Sequence, residues 1–175
     1  MSEDLRYPIG DFEQKIIVTA EMREKFIQTL VEFPCKIREA VKGLNDEQMQ
    51  TPYRADGWTP HQVIHHVADS HMNSLIRFKL GLTENAPTIK PYFEELWAEL
   101  ADYKEVPVEV SFDLVEGIHT RWVVLLKSMT DADFAREIVH PERGAMRLDV
   151  VLALYDWHSR HHTAHITELR KRNKW

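Results

Sequence analysis

The stretch "TPHQVIHHVADSHMNSLIRFKLG", Thr59 to Gly81, reads as an amphipathic helix complete with its punctuation. Thr59 offers a capping hydroxyl, Pro60 suits the first helical position, where a missing N–H costs nothing, and Gln62 completes a capping box. Ile64, Val67, Leu75 and Phe78 share one face, which must be buried against other helices. The spacing predicts an end near Lys79 or Leu80, with Gly81 as the stop. Four histidines ride on this helix. His71 points with the apolar face and reads as a core residue, while His65 reads as a packing or supporting residue beside His66. His66 itself heads a polar stripe through Ser70, Asn73 and Arg77. Such a stripe is either the solvated back of the helix or the lining of a polar cavity, and solvated faces are the commoner case.

Three more long segments share the helical period. From Ala20 to Lys42, Phe26, Ile27, Leu30, Pro34, Ile37 and Val41 recur three or four apart, with Thr19 as cap, Gly43 as terminator and a kink expected at Pro34. A third helix, capped by Ser111, carries Val115, Ile118, Trp122, Leu125, Leu126 and Met129. A fourth runs from about Val150 to Arg172, capped by Asp149. Between the second and third lies a long connection, 83 to 110, with three prolines and a short apolar helix around "FEELWAEL"; connections of this length are often functional. "REIVHPERGAMRLD" places a Pro and Gly turn between two alternating runs, the pattern of a small hairpin. The whole predicts an all-α fold: one domain, 1–175, a four-helix bundle about 30 Å long with a small hairpin before the last helix.

Composition narrows the function. With 43% apolar and 29% charged residues among 175, the chain can bury a core. A net charge of -6 argues against general polyanion binding, so no nucleic-acid partner is expected, and the basic end Arg170 to Lys174 reads as a match to a helix C-terminus. No run approaches the ~20 apolar residues of a membrane span, and the start "MSEDLRYPIG" is acidic, unlike a signal peptide; a cytoplasmic protein free of membrane is expected. The single cysteine, Cys35, permits no internal disulfide and no cysteine-rich zinc site, and reads as a small buried core residue. Any transition-metal site must therefore use imidazole and carboxylate. Ten histidines are available, eight of them crowded into 61–71 and 158–165.

In "WHSRHHTAHITEL", Trp157 to Leu169, a helical wheel puts Leu154, Trp157, His161 and His165 within about 80° of one another, with His158 at the margin. His162 falls further round, toward Tyr155 and Ile166, and reads as peripheral. His161 and His165 stand at i, i+4, the spacing that lets two imidazoles grip one ion. Two hydrogen-bonded core histidines would give the same pattern, and spacing alone does not choose. His119 and His140 stand alone, and isolated histidines are usually not ligands.

Taken together, "YPIG" at Tyr7, "TPYRADGWT", "HHVADSHMNSLIRFKL", "HPERG" and "WHSRHHTAHITEL" make the chain resemble the DinB-like superfamily, and within it the YfiT group named for metal-dependent hydrolysis. The resemblance covers nearly the whole chain. It implies a four-helix bundle that holds one divalent ion on three histidines, which align with His66, His161 and His165, and it implies a homodimer; an all-imidazole site suits zinc, nickel, copper or iron, of which zinc or nickel is expected. Some members of the wider family transfer low-molecular-weight thiols such as bacillithiol or mycothiol.

Three neutral imidazoles leave a divalent ion an open position, the mark of a catalytic rather than a closed structural site. An ion of the zinc type can lower the pKa of its water to about 7 for attack on a small-molecule substrate, which is hydrolysis. It can equally stabilise a thiolate, which would make the chain a bacillithiol-type S-transferase. A non-enzymatic bundle with a structural ion is the third reading. Asp69, Asn73, Arg77, His158 and Glu168 are candidates to orient the ligands or touch substrate, Arg77 suiting a carboxylate; a solvated surface role suits each as well. No general base is identifiable.

Overall fold

The computed structural model describes residues 4–175; Met1 to Glu3, the first residues of the acidic start, lie outside the described residues. The chain forms α1 (Ala20–Val41), α2 (Asp46–Met49), α3 (Pro60–Thr83), α4 (Glu94–Trp97), α5 (Asp102–Glu105), α6 (Val108–Ser128), α7 (Asp131–Phe134), β1 (Glu137–His140), β2 (Gly144–Arg147) and α8 (Leu148–Asn173). The four long helices make the bundle, with α1 and α3 each packed against both α6 and α8. The hairpin is antiparallel, from Glu137 opposite Arg147 to His140 opposite Gly144.

Local signals explain the starts. Thr19 accepts from the Met22 N–H, and Thr59 with Gln62 closes the capping box around Pro60. Gly43 takes the left-handed conformation after α1, at φ +81°. Helix α1 continues through Pro34 over its full 22 residues. Two apolar clusters build the core. Leu30, Phe78, Trp122, Leu126, Leu148 and Leu152 anchor one; Phe33, Ile37, Val63, Val67, Ile166 and Leu169 anchor the other. Between them along α3 lie Ser70, His71 and Ser74, and along α8 the run from His158 to His165, so a polar layer is sandwiched between apolar ends. Polar groups held there are desolvated and need partners.

Four expectations change. Helix α3 does not stop at Gly81 but runs on to Thr83, because Gly81 serves packing: a Cβ there would lie 2.9 Å from Leu148 Cδ2 and 3.2 Å from Ile138 Cγ2. Arg136 donates to the Gly81 and Glu84 carbonyls and satisfies the helix end instead. Helix α6 starts at Val108 after Pro107, which leaves Ser111 inside the helix rather than at its cap. Helix α8 starts at Leu148, whose N–H donates to the Arg136 carbonyl at 2.8 Å, so Asp149 lies in the first turn, held by Arg147 at 2.6 Å. Cys35 is exposed, one face away from buried Phe33 and Ile37. The Gly81 contact carries a prediction. Gly81→Val should lower unfolding stability by about 1–3 kcal/mol in urea titration, since a buried, close-packed contact has no room for two methyl groups; an unchanged midpoint would show that Leu148 yields freely.

The long connection is pinned to the hairpin. Ile89 donates to the Val139 carbonyl at 3.0 Å and Val139 to the Pro87 carbonyl at 2.9 Å. This holds residues 90–96 over one face of the histidine layer, where they wall a cavity.

Candidate metal centre

Two turns of α8 present His158, His161, His162 and His165, and α3 faces them with His66, Ser70 and His71. His66, His161, His162 and His165 are all buried. Ring centroids lie 4.7 Å apart for His66 and His162, 4.2 Å for His161 and His165, 5.1 Å for His161 and His162, and 5.3 Å for His162 and His165. Ligand atoms within 4.8 Å of one another form two triplets, His66 with His158 and His162, and His161 with His162 and His165. His162 is common to both. It is therefore not peripheral: the Tyr155 and Ile166 side of α8, toward which the wheel turned it, is itself buried.

Aromatic rings fix several of these imidazoles. Tyr53 stacks on His165 at 3.9 Å and Trp157 on His161 at 4.2 Å, while Trp58 lies 4.5 Å from His66. His165 Nε2–H donates to the Arg6 carbonyl at 3.1 Å. The Nδ1 atoms of His66, His161, His162 and His165 are buried and have no hydrogen-bond partner. Four desolvated ring nitrogens are costly unless something electrophilic meets them, although His66 falls in one triplet and His161 with His165 in the other. His158, by contrast, is engaged at both nitrogens, Nε2 with His66 at 3.2 Å and Nδ1 with His71 at 3.1 Å.

Burial keeps the cluster neutral. It pushes His66 down to about 3, with His161 and His165 adding to the effect, and it pushes His161 down to about 3 and His165 down to about 4. Burial likewise holds His158 and His162 well below the ordinary imidazole range. Neutral imidazoles with bare nitrogens are the form that coordinates a cation, so the residues present suit a divalent ion.

His66, His158, His161 and His162 line a cavity of about 730 Å³, which His165 does not reach. Trp58, Met146, Leu154 and Trp157 give it apolar walls, and Arg77 and Tyr92 stand in it, the Tyr92 hydroxyl close to Ser70. Asp69 and Asn73 do not line this cavity: Asp69 accepts from the Tyr103 hydroxyl at 2.7 Å, and Asn73 donates to the Asp69 carbonyl at 2.9 Å. Glu168 lines a smaller pocket with Tyr7, Tyr53 and His165, and pairs with Lys171. His140 lines the main cavity. His119 is not isolated, since its Nε2 meets His71 Nδ1 at 2.7 Å. Sequence reasoning missed Tyr92, which the long connection delivers without any motif. It undervalued His162, although His158 and His162 also stand at i, i+4.

The sequence profile of the DinB superfamily matches residues 30–166. The chain belongs to the DinB superfamily. This DinB-superfamily protein is 55% identical over 172 residues to a Bacillus cereus protein named "Putative metal-dependent hydrolase", with 98% of this chain and 99% of that one covered. A Bacillus anthracis protein of the same name is 54% identical over the same length. Among solved structures, YfiT from Bacillus subtilis, described as "a probable metal-dependent hydrolase with an unusual four-helix bundle topology", superposes with a TM-score of 0.94 at 48% identity over 98% of both chains. A mycothiol-dependent maleylpyruvate isomerase shares the fold alone, with a TM-score of 0.63 at 16% identity over 84% of this chain and 60% of its own. No helix among the described residues is long and apolar enough to cross a membrane.

Proposed function

We propose that this DinB-superfamily bundle is a hydrolase working with one divalent ion per chain, zinc or nickel, held by His66, His161 and His165. The observation that carries the reading is the group of buried Nδ1 atoms without partners, three of which belong to these residues. The names of the Bacillus relatives and the resemblance of the histidine segments to the YfiT group agree with it. When bound, such an ion supplies a Lewis acid that polarises a carbonyl and activates water near neutral pH. The chain's own residues do the rest. His158, occupied at both nitrogens, orients His66, and the stacked Trp157 and Tyr53 rings hold His161 and His165 in place. Trp58, Met146 and Leu154 exclude water from an apolar part of the substrate. Arg77, half-buried in the cavity wall and without an ion pair among the described residues, binds a carboxylate at the far end.

Elemental analysis tests the centre. About one ion per chain is expected, lost in each of His66→Ala, His161→Ala and His165→Ala and kept in His162→Ala. Retention in the first three would defeat the ligand set, and loss in His162→Ala would move a ligand to residue 162. An ester and amide panel run against thiol conjugation to an electrophile tests the reaction. Thiol-dependent product that vanishes in His161→Ala, in place of hydrolysis, would make the chain an S-transferase. Metal stripping that lowers melting temperature while no turnover exists would make the ion structural. For Arg77→Met, KM for a carboxylate-bearing substrate should rise about tenfold or more, with little change for a neutral analogue; equal changes for both would remove Arg77 from substrate binding.

A further inference from the structure

A line of imidazoles crosses the bundle from α1 to the proposed ion site. It begins at a backbone carbonyl, that of Leu30, which can only accept, so His119 Nδ1, 2.6 Å away, carries a proton. Each ring in the line is buried or nearly so, and the four hydrogen-bond only to one another, to the Ser70 hydroxyl and to the Leu30 carbonyl, with no carboxylate among the described partners, so each holds a single ring proton. The rest follows by alternation. His119 Nε2 is bare, and His71 Nδ1–H donates to it at 2.7 Å. His71 Nε2 is then bare, and His158 Nδ1–H donates to it at 3.1 Å. His158 Nε2 is bare in turn and receives the Nε2–H of His66 at 3.2 Å, since two bare nitrogens at that distance would repel; the Ser70 hydroxyl lies further off, at 3.4 Å from the same nitrogen. His66 is left with its proton on Nε2 and an unprotonated Nδ1, the same atom that is buried without a partner.

We infer that His119, His71 and His158 form a tautomer relay in which the Leu30 carbonyl fixes the ring proton of His66 on Nε2 and keeps its Nδ1 lone pair free for the ion. His119 and His71 are thus positioning residues, acting on the centre from the opposite side of the core. Phe33 packs on both rings, 4.8 Å from His71 and 5.2 Å from His119, and holds the line in register. Partners that set the tautomer of a ligand in this way typically contribute 10- to 100-fold in metal affinity. The relay's last link, to ion affinity, rests on the metal reading above; the tautomer pattern does not.

Long-range 1H–15N spectra of the metal-free protein read that pattern directly. The expected result is Nδ1–H at His119, His71 and His158 and Nε2–H at His66; a proton on Nε2 of His119 or His71, or on Nδ1 of His66, overturns the relay. Zinc competition then compares two variants. His119→Leu cannot accept from His71 and should bind about 10- to 100-fold more weakly, with the His66 proton no longer fixed on Nε2. His119→Gln keeps a donor for Leu30 and an acceptor for His71 and should restore both. A folded His119→Leu with parental affinity and an unchanged His66 signal overturns the relay. Should His119→Leu fail to fold, the parental spectrum still decides. A parent that binds no zinc defeats the metal reading while leaving the tautomer test in force.

Discussion

The metal-free protein should lose stability steeply as the pH falls from about 6.5 toward 4. His119 shows the sign. Its ring is pushed down to about 4 in the folded state, mainly by burial, and in the unfolded chain it returns to about 6.5. Below 6.5 the unfolded chain binds the extra proton, so stability rises with pH: the contribution is present in full above 6.5 and is lost as the pH drops through the folded value. Each such histidine steepens the curve by up to about 1.4 kcal/mol per pH unit. His71, His158 and His162 are lowered in the same direction, and His66 and His161 to about 3, so several act in the same window. Asp69, raised by burial, opposes them, but it is one carboxyl. With total stabilities of about 5–15 kcal/mol for domains of this kind, unfolding within roughly two pH units is expected. Urea titrations between pH 7.5 and 4.5 after chelation check it. A midpoint that stays flat to pH 5 would mean that the rings accept protons without opening the layer.

The bundle was legible because each long helix carries its own address. Thr19, and Thr59 with Pro60 and Gln62, are local signals, and the apolar period that follows them needs no partner to be read. Where a residue's role depends on another helix, legibility ended. Gly81 looks like a stop until Leu148 is known to lie against it. His66, Ser70 and Arg77 form a polar stripe whichever way α3 is turned, and only the placement of α8 and the long connection makes that stripe a cavity lining. His71 reads correctly as core from its own helix, yet its partner His119 sits 48 positions away on α6, and no spacing rule joins them. His162 was misplaced for a related reason: a wheel ranks faces by apolar neighbours, and a helix buried on most sides, as α8 is from Val151 to Ile166, has little outside to rank against.

Trp122→Ala should be the most damaging single change in the apolar core, at about 3–5 kcal/mol. Trp122 is fully buried on α6 and meets Tyr155 edge-on at 5.3 Å, Phe78 at 5.5 Å and His71 at 6.0 Å. Those neighbours come from two other helices that also pack elsewhere, so the void cannot close without displacing α3 or α8. The consequences reach the histidine layer. Tyr155 donates its hydroxyl to the Ser70 carbonyl at 3.0 Å, and His71 passes its orientation to His158; both lose a wall of their pocket when the indole goes. Trp122→Phe separates volume from polarity. The indole Nε1–H is buried without a partner, so its removal offsets part of the lost contact, and a cost of only about 1–2 kcal/mol is expected. Urea unfolding of both variants, with zinc affinity measured alongside, decides the matter. Trp122→Ala should weaken both stability and ion binding, whereas a loss below about 1 kcal/mol would show that the two apolar clusters hold the layer together without the indole between them.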